Sequence, residues 1–471
     1  MKNRKPIIND SAKGEVVIYT RPWFSNYYSE LALAVSGEMG CQVSFLSDYS
    51  VPGSYDLRKS AVCFYDTQVG CVVNNHIYEC VNDIISRDRL LRKIGRSEAV
   101  KRVNSYYYAV KEFFSERNVF CFISATVDQY VVDIIYLYCL INKIPFIGYH
   151  ISVIPDYTLF TARGEIYNYR YGQESEVNKA IARISCSDFR PAYVPGLSDL
   201  KVVGLKRYII NVMRHVYYRA LSFQCDSKLN YHVETSIVES RRHLSFAVFQ
   251  ALVWRYDKIP IDKFLYLPLQ FHPECNTEYW DRDNSYEDYE EKVLRFLKNN
   301  AATWKVVLKE HPNMVGLRLG SFYHRAKSNG AIIVDHEADH KSLLKRCYAV
   351  VTMNSSAGIE ALCEGKVVVC LSIPYYKSNY HILKNIDQTV HDIEIDEVVS
   401  RYSATDALRV TISKIINASM PIALCDLNWK PSGFNTMSAK QSADLFSKQL
   451  RPLIKNIEMN RKYPNDVYTI R

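Results

Sequence analysis

The sequence contains no GxGxxG, and no GxxxxGKS or GxxxxGKT, where a strand meets a helix. That argues against the glycine loops with which dinucleotide oxidoreductases and P-loop enzymes cradle phosphates. No CxxC pair occurs among the 13 cysteines, and their number is odd. Cys121, Cys139, Cys363 and Cys370 fall inside strand-like or helix-like stretches. This pattern fits reduced core thiols in a cytoplasmic protein, not disulfides or a zinc site. No metal and no organic cofactor is expected. The first residues, MKNRKPIINDSAKGE, carry no apolar stretch, so no signal peptide is expected there. The longest apolar run, YVVDIIYLYCLINK, includes Asp133 and Asn142 and is too short and too polar to span a bilayer. Internal repeats and low-complexity tracts are also missing.

What is present is a soluble globular composition, 48% hydrophobic and 23% charged over 471 residues. That length is comfortable for two cores and long for one. The formal charge of +9 suits an acidic partner: a nucleotide, an anionic sugar or a membrane surface. Lys and Arg are dispersed and no recognition module appears, so nucleic acid is not an expected partner. The 36 tyrosines are expected mainly to pack, with some stacking on sugar rings.

The chain opens βαβ: EVVIYT, a helical YYSELALAVSGEMG closed by Gly40, then CQVSFLS. The pattern recurs as VFCFISAT over 119–126, a helix over 128–142 and PFIGYH over 145–150. Such alternation predicts a parallel sheet covered by helices. Residues 1–166 therefore read as one Rossmann-like domain. Over 167–257 strand signals vanish, and basic, aromatic helices such as LKRYIINVMRHVYYRALSF replace them. This region reads as a helical linker packed on both domains, or as a helix lying on a membrane surface. A second α/β domain over 258–435 begins at KFLYLPLQ (263–270). Its further strands are WKVVLKE, AIIVD, YAVVTM and KVVVCLS, with helices between. A last helix, within 436–471, is placed to cross back to the first domain. The predicted fold is thus α/β: two doubly wound domains facing a cleft, with a helical insertion between them. Ligands of such sheets bind beyond the strand carboxyl ends.

Unusual polar residues lie at those ends. His311 follows strand 304–310 and is held by Pro312, where an imidazole can pair with a phosphate, and Lys309 adds a point charge. In TMNSSAGIEALCEG, Asn354, Ser355 and Ser356 form a turn before a helix start, a combination that suits an anion. Ser356 also qualifies as a plain N-cap. Ala357 and Gly358 are small enough for a ligand to approach the backbone, and Glu360 lies within reach of a ribose diol. Gln270 ends a strand, and His272, Pro273 and Glu274 follow it. A carboxylate there is placed to act as nucleophile, base or orienting group. In the first domain His150 ends a strand, and Asp128 and Glu165 join it as candidate acceptor-site groups. The triplet DRD (281–283) imitates a metal-binding DxD but has no strand before it, so a solvated loop is expected.

LPLQFHPE, then KEHP, then NSSAGIEALCEGKVVV together resemble the capsular polysaccharide biosynthesis family, which includes bacterial Kdo transferases. The likeness is more distant to bacterial sialyltransferases with separate HP and SS motifs. It covers roughly 120–375 and is strongest over 263–375. It implies a GT-B fold with the donor nucleotide in the C-terminal domain. It also implies a donor phosphate held by His311, Ser355 and Ser356, and a catalytic carboxylate at Glu274, four positions after Gln270. Here the carboxylate is Glu where Kdo transferases often have Asp, and Cys275 stands where Ser is common.

On this reading the protein is a metal-independent glycosyltransferase of capsule or O-antigen synthesis. It would act in the cytoplasm, with peripheral contact to the inner face of the membrane. The donor would be a sugar nucleotide, foremost a CMP-linked ulosonic acid such as Kdo, and the acceptor a glycan or lipid-linked glycan. Two alternatives stay open from the residues alone. One is a nucleotide-sugar epimerase or polyol-phosphate transferase on the same scaffold; the other is a non-catalytic membrane- or polysaccharide-binding scaffold.

Overall fold

A computed structural model describes residues 14–21, 25–67, 75–191, 200–223, 228–243, 255–281, 288–422 and 439–459. Among these residues two sheets account for every strand. The first runs in the order β13-β6-β5-β4-β1-β2-β3. It is built from β1 (Glu15–Tyr19), β2 (Gln42–Ser47), β3 (Tyr55–Asp56), β4 (Val119–Ala125), β5 (Phe146–Ile151), β6 (Thr158–Phe160) and β13 (Ser419–Met420). β1 to β5 pair in parallel, while β6 and β13 close one edge antiparallel. The second sheet is wholly parallel, ordered β12-β11-β10-β7-β8-β9. Its strands are β7 (Phe264–Pro268), β8 (Lys305–Lys309), β9 (Ala331–Ile333), β10 (Ala349–Thr352), β11 (Val367–Cys370) and β12 (His381–Leu383).

Short runs of Val, Ile and Leu make these strands because both faces are covered by helices, and continuous apolar runs are what such burial demands. Val16 to Ile18, Val306 to Leu308, Val350, Val351 and Val367 to Val369 are buried almost completely. In each sheet the strand order reverses once, between β1 and β4 and between β7 and β10. Crevices of doubly wound sheets open at these reversals.

Among the described residues the intervening region holds three helices, Glu174–Ser185, Leu200–Ser222 and Tyr231–His243. Tyr231–His243 is tied to the first domain: the Tyr231 hydroxyl donates to Asp88 at 2.9 Å, and Arg89 reaches Glu239 at 3.1 Å. Glu174–Ser185 lies instead against helix Ala404–Asn417, with Arg409 paired to Glu174. The chain rejoins the first sheet at Ser419. Helix Ala439–Met459 then packs Phe446, Leu450, Leu453 and Ile457 against Tyr28, Leu31 and Val35 of the first domain. No described helix is long and apolar enough to cross a membrane. The described cysteines form no disulfide.

Candidate functional site

Both sheets present their carboxyl ends to the same residue, Trp280. Its indole N–H donates to Thr126 Oγ1 at 2.8 Å just past β4, and its ring stands edge-on to His150 at the end of β5. Its carbonyl accepts from Asn354 Nδ2 at 3.1 Å just past β10. Gly164 has φ of +86°, and a Cβ there would sit 2.8 Å from Trp280 Cβ. That close approach needs a glycine. A tryptophan of the second domain therefore contacts both strand-end surfaces.

On the second domain, Gln270 bridges the crevice floor. Its Oε1 accepts the Met353 N–H at 3.1 Å, its own N–H donates to Tyr289 at 2.8 Å, and its carbonyl accepts from Arg318 at 2.7 Å. The Gln270 Nε2 is buried without a partner. An unpaired buried amide donor costs free energy, so a ligand acceptor at this position would relieve it. Beside it, Arg318 is buried and forks onto Glu310 at 2.7 Å and Glu290 at 2.9 Å. Glu310 also takes the His311 backbone N–H at 2.7 Å and the Tyr323 hydroxyl. This clamp fixes the strand tip that carries His311. Arg318 was not singled out by the sequence, because GLRLG carries no motif, and Glu310, though part of KEHP, was given no role there.

The His311 side chain accepts the Asn313 N–H on Nδ1 at 3.1 Å, as the N-cap of the turn Pro312–Met314. That bond places the imidazole proton on Nε2, a donor suited to an anion. The rings of His311 and Phe271 are 6.1 Å apart, which brings the Gln270–Glu274 loop alongside the histidine. Lys309 is buried, and burial lowers its pKa against the pull of Glu310. His340, which the sequence reading missed, completes this wall. Its Nδ1 meets the Tyr266 hydroxyl at 2.8 Å, and its Nε2 lies 3.6 Å from Glu360. Burial, then Lys309, push His340 down to about 3, so it is neutral at physiological pH. Burial also raises Glu360 to about 7.

The serine turn differs from its expected chemistry in two respects. Ser355, not Ser356, does the capping: its Oγ accepts the Ala357 N–H at 3.1 Å, while Ser356 makes no side-chain cap bond. The space above Gly358 is filled by the protein itself. A Cβ there would meet the Tyr376 hydroxyl at 2.4 Å, and that hydroxyl donates to the Ser355 carbonyl at 2.6 Å. Gly358 is therefore a packing glycine, not a gap left for a ligand. The Asn354 Oδ1 is buried and without a partner.

Glu274 is half-buried at the start of helix Cys275–Glu278, where the first domain leans over the second. Burial raises it to about 7, opposed by Arg89 of the first domain and by Asn276. Arg89 and Arg92 both grip Glu278, each at 2.7 Å, so the loop is held across the domain boundary. A raised carboxyl pKa fixes the sign of a pH effect. The folded protein keeps a proton on Glu274 between about pH 4.5 and 7 that the unfolded chain has lost. The Glu274 contribution to stability is thus complete below that window and lost as pH rises through it. Thermal melts of wild type and Glu274→Gln, followed from pH 5 to pH 8, should diverge in favour of the variant as pH rises. Parallel curves would remove Glu274 from the buried cleft.

Three sequence candidates are otherwise engaged. His272 spends both ring nitrogens at 3.1 Å, on Thr277 Oγ1 and Asp288 Oδ2, so it braces the loop and leaves nothing for a donor. Glu165 accepts from the Arg163 N–H and the Tyr167 hydroxyl, both at 2.8 Å. It stabilises its own loop. His150 bonds the Ile151 carbonyl through Nδ1 at 2.8 Å. Asp128 does reach the crevice of the first sheet, paired with Arg21 beyond β1. Next to that pair, Tyr19 and Gln129 bond the buried Asp48. Of the DRD triplet, Asp281 is buried against Lys292, not solvated, and the other two residues lie outside the described set.

Two doubly wound domains joined at their strand ends, with a cationic strand tip in the second, define the class: a GT-B-like α/β protein. Within it, the model of the family described as capsule polysaccharide biosynthesis protein matches residues 262–404, the stretch that carries Gln270, Glu274, His311 and the serine turn. A comparison with curated proteins finds no match. Among solved structures, the chain is similar to the KpsC beta Kdo 2,7 transferase of Thermosulfurimonas dismutans, at 10% identity and a TM-score of 0.38 over 92% of this chain and 99% of that one. The KpsC beta Kdo 2,4 transferase of the same organism matches at 13% identity and a TM-score of 0.29, over 63% and 79%. A UDP-GlcNAc 2-epimerase of Neisseria meningitidis matches at 9% identity and a TM-score of 0.24, over 93% and 99%.

Proposed function

We propose that the protein is a glycosyltransferase of bacterial surface polysaccharide synthesis that takes a sugar from a nucleotide donor. The preferred donor is a CMP-linked ulosonic acid such as Kdo, and the acceptor is a glycan or lipid-linked glycan. The observation that supports this best is the assembly at the β7/β10 reversal. There the Gln270–Glu274 loop, the His311 tip and the Ser355–Ser356 turn come from three separate segments of the region matched by the capsule family.

Cleaving an anomeric carbon–phosphate bond leaves charge on the phosphate and oxocarbenium character on the sugar. His311 Nε2–H and the Lys309 ammonium would neutralise the leaving phosphate, with the Ser355–Ser356 turn beside them. The unpaired Gln270 amide would donate to the sugar or its carboxylate. Glu274, held near neutrality by burial, would be the carboxylate that meets the reacting sugar or the incoming hydroxyl. No step in this scheme needs a metal or an organic cofactor. The crevice at Arg21, Asp128 and Asp48 faces the acceptor side, and the protein would work at the inner face of the cytoplasmic membrane.

Thermal shift against CMP, CDP, UDP and GDP tests the donor class directly. A selective stabilisation by CMP is the expected result. At a nucleotide concentration of about 100 times Kd it would amount to about 2.7 kcal/mol. A response to UDP alone would replace the CMP-ulosonic donor with another sugar nucleotide. Silence towards all four would remove the transferase reading.

A further inference from the structure

Helix Leu200–Ser222 carries an apolar face that no other described residue covers. Ile209, Ile210, Met213, Val216 and Tyr217 are exposed on it, Met213 by 67%, and Phe223 just past its end by 83%. Positions 209, 213, 216, 220 and 223 recur at steps of four and three, which aligns them along one side of a helix. The opposite side is docked. Asn211 is buried, the His215 ring meets Ser240 at 3.1 Å, and the Tyr218 hydroxyl meets His232 at 3.0 Å on helix Tyr231–His243. The apolar face is therefore held outward on a braced helix.

We propose that this face is a docking surface for an anionic lipid bilayer. Charge selects that occupant. The helix sequence LKVVGLKRYIINVMRHVYYRALS holds five Lys and Arg and not one Asp or Glu. Lys206, Arg214 and Arg219 are exposed, and Arg214 and Arg219 lie on the two sides of the apolar strip. Apolar residues entering the headgroup region, with cations on the flanks, make an interfacial helix. A second copy of the chain would bring two all-basic helices together with no acidic residue on either to offset the repulsion. The surface is also rigidly linked to the candidate site. Helix Tyr231–His243 is clamped by Arg89, the residue that faces Glu274. Docking would therefore set the cleft at a fixed attitude to a lipid-linked acceptor. That consequence rests on the transferase reading; the binding itself does not.

Co-sedimentation of the full chain with vesicles tests the binding without any transferase assay. The vesicles are phosphatidylcholine alone, and phosphatidylcholine mixed with phosphatidylglycerol. Binding is expected to the anionic vesicles only, and to weaken as salt is raised. Met213→Glu/Val216→Glu should abolish it, and Arg214→Glu/Arg219→Glu should weaken it by about tenfold or more. Both pairs are exposed, so the thermal midpoint and transfer to a water-soluble acceptor should be unchanged. Equal binding by these variants and wild type, or no binding by wild type, would overturn the proposal. A dimer of the wild type in sedimentation velocity that Met213→Glu/Val216→Glu dissolves would assign the face to a second copy instead. Loss of vesicle binding with transfer intact, or the reverse, separates this inference from the proposed activity.

Discussion

His311→Ala should lower sugar transfer by about a hundred- to a thousandfold, the usual loss on removing one donor that meets developing charge. The expectation starts from the tip of β8. His311 cannot turn freely, because Nδ1 is occupied by the Asn313 N–H and its own backbone N–H is held by Glu310. Nε2 is thus aimed before any ligand arrives, and pre-aimed donors need no reorganisation as charge develops. The fold stands to lose little. The bond from that ring to its turn is an N-cap bond, of the kind worth about 1 kcal/mol. A thermal midpoint that falls by a few degrees at most, together with transfer lost at saturating donor, is therefore the expected pair of readings. His311→Asn tests the same point from another side, since an amide can keep the cap bond without reaching the phosphate. If His311→Ala turned over at the wild-type rate, the phosphate would have to be held elsewhere in the crevice.

The parts of this molecule that the sequence made legible are those governed by local periodicity. Short continuous apolar runs such as KVVVC, with helical stretches between them, imply a doubly wound sheet, because burial on both faces leaves few other choices. His311 was visible for the same reason: a titratable residue followed by proline directly after an apolar run can only sit at a strand tip. Partners across the fold were not visible. Arg318 lies in a loop with no pattern, yet it binds three segments together. His340 reads as an ordinary residue after an N-cap aspartate, and only the packing of β7 and helix Ala357–Cys363 brings it to Tyr266 and Glu360. Gly358 and His272 show the converse error. Small size and an imidazole at a strand end both suggested ligand contact. Tyr376 fills one position, while Thr277 and Asp288 saturate the other.

Arg318→Met should destabilise the protein by about 3–5 kcal/mol, which makes it the most damaging single substitution expected outside the apolar core. Methionine keeps the unbranched stem of the side chain but leaves Glu310 and Glu290 without their common cation, and it strands the Gln270 carbonyl. A buried carboxylate that loses its partner costs far more than the pair contributed when intact, because desolvation stays while attraction goes. For a domain of this size the midpoint should drop by about 10 °C. Lysine should not rescue it: a single ammonium cannot reproduce a fork that serves Glu310, Glu290 and a carbonyl together. Arg318→Met/Glu310→Gln should recover part of the loss, since the second change removes one stranded charge. If the clamp is what aims His311, the double variant will regain stability without regaining transfer. Recovery of both together would mean that Glu310 and Arg318 only hold the domain together and that the histidine finds its position without them.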